Sequence, residues 1–148
     1  MSKYCFGIDI GGTTIKMGLF SGDGNLIDKW EIETIKENNG ENILPDIARS
    51  IDEKILEKDI SKDDILGIGI GVPGPVLKNR VVNKCVNLGW GVLDVVEQME
   101  KLTGVSNIRV GNDANVAALG EASQSDIKRE NVVMLTLGIM IKQQLKKI

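Results

Sequence analysis

Residues 4–20, YCFGIDIGGTTIKMGLF, hold the stretch whose reading decides the fold. Two apolar runs, Tyr4–Ile10 and residues 14–20, flank a GlyGly step, and a third run, Leu26–Glu33, follows the turn composition SGDGN. Short apolar runs punctuated in this way predict strands joined by tight turns. The chain therefore opens as a three-stranded antiparallel meander.

Beyond the meander the spacing changes. Leu44, Ile47, Ala48, Ile51 and Ile55 recur at helical intervals within residues 41–58, with Pro45 near the first turn, where its missing amide costs little. Ile65–Val72 is nearly unbroken apolar sequence, as expected of a parallel strand covered on both faces. After GVPGP, Val81 and Val82 predict a short strand, and Val92, Val96, Met99 and Leu102 predict a second helix ending near Gly104. Residues 108–110 form a brief strand. Asn112 or Asp113 then caps a helix carrying Val116, Ala117 and Leu119, and residues 132–137 form another buried strand. Three strands followed by alternating helices and strands predict an α/β domain built on a mixed sheet, with parallel strands beside the meander and helices flanking it. The polar stretch SQSDIKREN, residues 123–131, is the expected boundary, giving one unit over residues 1–123 and the start of another over residues 131–148.

Composition narrows the function classes. A chain of 148 residues with 42% hydrophobic and 26% charged residues suits one globular domain. A net charge of −3 offers no basic patch for a phosphate backbone, which argues against nucleic acid as partner. No apolar run approaches the roughly 20 residues that span a bilayer, and no leader precedes the first strand, so no membrane partner and a cytoplasmic location are expected. Cys5 and Cys85 sit in apolar stretches without metal-ligand spacing and read as buried free thiols. With no histidine in the sequence, acid and base chemistry falls to carboxylates.

Three segments carry polar residues at strand ends. In DIGGTTIK, residues 9–16, the amides and hydroxyls of Gly12, Thr13 and Thr14 could hold phosphate oxygens, with Asp9 as an outer-sphere partner of Mg²⁺; a tight hairpin with a GlyGly turn is the other reading. GIGVPG, residues 69–74, fits GxGxxG, but Pro73 and Pro75 bracket Gly74 and no helix opens there, so a rigid ligand loop or a plain turn fits better than a dinucleotide site. In GNDANVAALGE, residues 111–121, Asp113 is either a helix cap or a carboxylate placed to accept a hydroxyl proton, with Asn112 beside it and Glu121 about two turns further. Asn87 and Trp90, in NLGW, are a polar contact and an apolar wall of the same pocket, or else a turn residue and a half-buried ring.

Taken in this order, DIGGTTIK, GVPGPV with NLGW, and GNDANVAALGE resemble the ROK family of sugar kinases, repressors and open reading frames, especially its bacterial glucokinases. The resemblance implies the amino-terminal lobe of an actin-like ATPase of RNase H type and an ATP-dependent hexose kinase, acting at the 6-hydroxyl of glucose. It implies Asp113 as general base, Asn112, Asn87, Gly74 and Glu121 as sugar ligands, and Asp9, Gly11, Gly12, Thr13, Thr14 and Lys16 as the phosphate and Mg²⁺ side. A homodimer is implied for the complete protein. Two rivals remain: a sugar-sensing regulator without its DNA-binding part, and an inactive sugar-binding fragment. After VVMLTLG the sequence reads IMIKQQLKKI where the family continues into a glycine-rich segment and a His/Cys zinc site. A frameshift or premature stop, no zinc site, and little turnover from this chain alone are the resulting expectations.

Overall fold

The computed structural model describes residues 3–112. Its main sheet has five strands in the order β3-β2-β1-β4-β8. Strands β1 (Tyr4–Ile10), β2 (Thr14–Ser21) and β3 (Leu26–Glu33) form the expected antiparallel meander. Strands β4 (Ile65–Val72) and β8 (Ile108–Asn112) add to the other side of β1 in parallel. The mixed α/β sheet predicted from the sequence is present.

Strand periodicity sorts the two faces. Leu19, Phe6, Ile68 and Ile108 form one cross-strand row and Met17, Ile8, Ile70 and Val110 the next, nearly all fully buried. Helices α2 (Ile43–Glu57) and α3 (Val95–Thr103) join the same apolar cluster through Ile43, Ile47, Ile51 and Ile55 and through Val95, Val96 and Met99. Each such side chain contributes about 1.5–3 kcal/mol on leaving water, so these rows fix the register. The opposite face carries Gly7, Gly18, Gly67, Gly69, Gly71 and Gly111 in neighbouring register, with Asp9 among them.

One element departs from the helical spacing. Val92 does not belong to a helix: Trp90–Asp94 is strand β7, and Val92 lies opposite Asn83 on β6 (Val81–Cys85) with 73% of its surface exposed. The physical reason lies at Asp94, whose Oδ1 accepts the Glu97 amide at 2.9 Å and so starts α3 after itself. Leu102, expected on the buried face, is 38% exposed. With β5 (Val76–Leu77), β6 and β7 form a small second sheet where the sequence predicted only a short strand at Val81 and Val82. Between β3 and α2 lies a four-residue turn, α1 (Glu37–Gly40), in which Asn38, Asn39 and Gly40 all have positive φ. No helix among the described residues is long and apolar enough to cross a membrane.

Candidate functional site

Parallel strands end together. Asp9 lies in register with Gly71, and Val72 with Asn112, so the carboxyl ends of β1, β4 and β8 share one edge of the sheet. Open α/β sheets bind ligands at this edge, because strand ends there leave backbone groups facing a crevice. Two of the three segments singled out from sequence are tied together directly: Asn112 Nδ2 donates to the Gly74 carbonyl at 2.8 Å. Gly74 is buried, and a methyl added to it would stand 3.3 Å from both Cβ and Sγ of Cys85, so that thiol backs the loop. The tip of the β5–β6 hairpin covers the outer edge of β8, with the Val110 amide donating to the Asn79 carbonyl at 2.8 Å.

The β1–β2 turn supplies the third segment. The Gly11 amide donates to the Thr14 carbonyl at 3.0 Å, and a Cβ on Gly11 would stand 2.8 Å from that oxygen, so the turn closes only on glycine. A Cβ on Gly12 would meet none of the described residues within 4 Å. Thr13 is exposed, and Lys16 lies directly opposite Asp9 on the same sheet face. On its other side Asp9 faces Gly71, and beyond it Gly111. Asp9, Gly11, Gly12, Thr13, Thr14, Lys16, Gly74 and Asn112 therefore gather at one edge.

Asn87 and Trp90 are not tied to this edge by a hydrogen bond among the described residues. Asn87 is exposed on the 3₁₀ turn Val86–Leu88 and makes none of the hydrogen bonds that join these segments. Trp90 is a strut, 6% exposed, whose Nε1 donates to the Gly40 carbonyl at 3.1 Å. Its neighbourhood includes a cleft of about 410 Å³ lined by Asn39, Leu44, Pro45, Gly91 and Gln98 among others, and by none of the strand-end residues. Asp113 and Glu121, and the boundary expected at residues 123–131, lie outside the described residues. Both cysteines are buried thiols outside any disulfide, and burial pushes the Cys5 thiol up to about 11. Thr34, which sequence reasoning passed over, holds the β1–β2 turn from beneath; a lone threonine beyond a strand gives no pattern to find it by.

The family pattern described as the ROK family matches residues 5–139, nearly the whole chain. The chain belongs to the ROK family. Within the ROK family it is 38% identical over 138 residues to a glucokinase of Halalkalibacterium halodurans, covering 92% of this chain and 42% of that protein. Among solved structures it superposes on the ROK hexokinase of Thermus thermophilus with TM-score 0.62 at 34% identity, covering 82% of this chain and 38% of the other. A ROK family glucokinase from Streptomyces griseus, crystallised with glucose and AMPPNP, gives TM-score 0.62 at 27% identity over 80% and 36% of the two chains. The actin-like ATPase fold of ROK sugar kinases thus accounts for the mixed sheet, and the chain spans about two fifths of the length of the relatives it matches.

Proposed function

We propose that the protein carrying this chain is an ATP-dependent hexose kinase that phosphorylates glucose at its 6-hydroxyl, with residues 1–123 as its amino-terminal lobe and residues 131–148 as the start of a second. The observation that carries the proposal is the convergence of Asp9, Gly12, Gly74 and Asn112 on one sheet edge, locked by the Asn112–Gly74 hydrogen bond. Relatives named glucokinase, and a neighbour holding glucose and AMPPNP, support the substrate pair.

Phosphoryl transfer requires positioning and charge stabilisation more than covalent help from the protein. Gly11–Gly12–Thr13–Thr14 is suited to the phosphates, since its backbone is open at Gly12. Asp9 suits a Mg²⁺ ion that keeps most of its waters, since such an ion needs few protein carboxylates and Asp9 stands at the carboxyl end of β1. The ion would neutralise charge on the phosphates, and Lys16 across from Asp9 adds a cation. Asn112, fixed by Gly74, would hold sugar hydroxyls together with Asn87 and Glu121, and Asp113 would take the proton of the attacking hydroxyl.

The test is direct. In the full-length protein Asp113→Ala lowers hexose phosphorylation by about 10²-fold or more, measured in a coupled assay, while calorimetric glucose affinity changes far less. Undiminished turnover would remove Asp113 from the mechanism. The 148-residue chain alone is expected to give little turnover, since its relatives are more than twice as long.

A further inference from the structure

Among the described residues only Thr34, Ser50 and Thr103 are buried polar side chains. Thr103 bonds back to its own helix at the Met99 carbonyl, and Ser50 accepts from Trp30 Nε1. Thr34 does something different. It stands one residue past β3, and its two donors reach the turn between the other two strands of the meander. Its Oγ1 donates to the Gly11 carbonyl at 2.8 Å, and its amide donates to the Thr13 carbonyl at 2.9 Å.

This arrangement sets a direction. A peptide unit is planar and trans, so its C=O and its N–H point to opposite sides. Holding the Gly11 carbonyl toward Thr34 therefore turns the Gly12 amide away from it, at a residue where an added Cβ would meet no atom of the described residues within 4 Å. We infer that Thr34 is a positioning residue that aims the Gly12 N–H outward as a phosphate donor. The inference rests on the proposed kinase reading, and it adds a hydroxyl that never touches the ligand. Preorganised backbone donors stabilise a phosphate without reorganising when it arrives, so the hydroxyl acts through the turn's geometry.

Thr34→Val keeps the side chain's shape and deletes the donor; Thr34→Ala deletes it as well, and Thr34→Ser restores it. The measurement is a ¹H–¹⁵N shift titration of the 148-residue chain with MgATP, with amide hydrogen exchange at residues 11–14 and glucose binding by calorimetry alongside. Valine and alanine are expected to weaken the MgATP response at Gly12 about tenfold, as for loss of one buried hydrogen bond, and to speed exchange at Gly11. Serine recovers both, and glucose affinity stays within about twofold, since that site lies on β8 and the β4–β5 loop. A hydroxyl-free variant that responds like the unaltered chain, or a serine variant as weak as valine, overturns the inference. So does an unaltered chain that binds glucose without any MgATP response at Gly12, and this leaves the sugar site standing. Absence of both responses in the full-length protein as well sinks the kinase reading itself.

Discussion

Two glycine-bearing junctions in this fold use the same residue in opposite ways. At the β1–β2 turn the backbone is tied by Thr34, and at Gly12 an added methyl group would meet none of the described residues within 4 Å. At the junction of α1 with the Leu88–Trp90 segment the backbones are pressed together: Gly40 has φ +67°, its carbonyl accepts Trp90 Nε1, and a Cβ there would collide with the Leu88 carbonyl. Gly89 repeats the pattern, with a Cβ falling 3.2 Å from Cα of Asn39. Glycine in the second place is required by packing, whereas glycine in the first has no such constraint among the described residues. The sequence string alone does not separate the two uses.

Substitution at the closed junction should produce the largest effect. Gly40→Ala forces a side chain into the left-handed region and against a neighbouring carbonyl that belongs to backbone and cannot rotate away. Strain of this kind and overpacking together cost about 4 kcal/mol, a large part of a small domain's stability. Urea unfolding followed by tryptophan fluorescence measures it, because Trp90 reports the junction itself. A variant within about 0.5 kcal/mol of the parent would mean that the junction is looser than its contacts indicate, and the contrast between the two regions would fail.

A polar cluster remote from both junctions sets the scale for an ordinary surface contact. Lys54 Nζ donates to Asp28 at 2.6 Å and to Glu57 at 2.7 Å, and lies 4.4 Å from the centre of the Trp30 ring. The Lys54 hydrogen bond holds the Asp28 carboxyl below its ordinary range, against the opposing effect of burial. Burial pulls the Lys54 ammonium down, but Asp28 and Glu57 outweigh it and leave it raised. The Asp28 contribution is therefore complete above the ordinary carboxylate range and is lost as pH falls through the depressed folded value. The Lys54 contribution is complete below the ordinary lysine range and is lost as pH rises through the raised one. Lys54→Met should cost about 1 kcal/mol at neutral pH and make stability fall less steeply into mild acid. Parallel acid limbs for variant and parent would show that this pair does not govern that slope.

Much of this architecture is legible before any coordinates, and the boundary between what is and is not has a physical cause. The meander, β4 and the core face of α2 follow from periodicity, because a two-residue or 3.6-residue repeat must place Ile8, Ile70 and Ile47 on one side. Val92 fits a helical spacing because it sits four residues before Val96, a spacing that a strand ending at a capping aspartate also permits. Asp9 and Asn112 at strand ends, and Gly74 in the loop just past β4, stand out as polar or glycine residues following apolar runs, so their meeting at one edge is foreseeable. Thr34 and the Gly40–Trp90 bond join residues 23 and 50 positions apart through single contacts, which no local pattern encodes. Sequence periodicity reveals faces and leaves ties between loops invisible.

The smallest effect on stability is expected where the effect on function should be greatest. Gly12→Ala adds a methyl to open space, and Gly12 is not among the residues with positive φ, so the native backbone accepts a side chain without strain. Reducing the freedom of the unfolded chain should then stabilise the protein by about 0.5 kcal/mol. If a phosphate oxygen meets the Gly12 amide, the same methyl beside that amide crowds it, so the MgATP response in a shift titration should fall at least about tenfold. A thermal melt and that titration on one sample test both halves. Higher melting temperature with lost nucleotide response would establish that this glycine is held for a ligand and not for the fold. A destabilised variant would place Gly12 beside Gly40 as a packing glycine, and an unchanged response would leave the open space at the turn without a function.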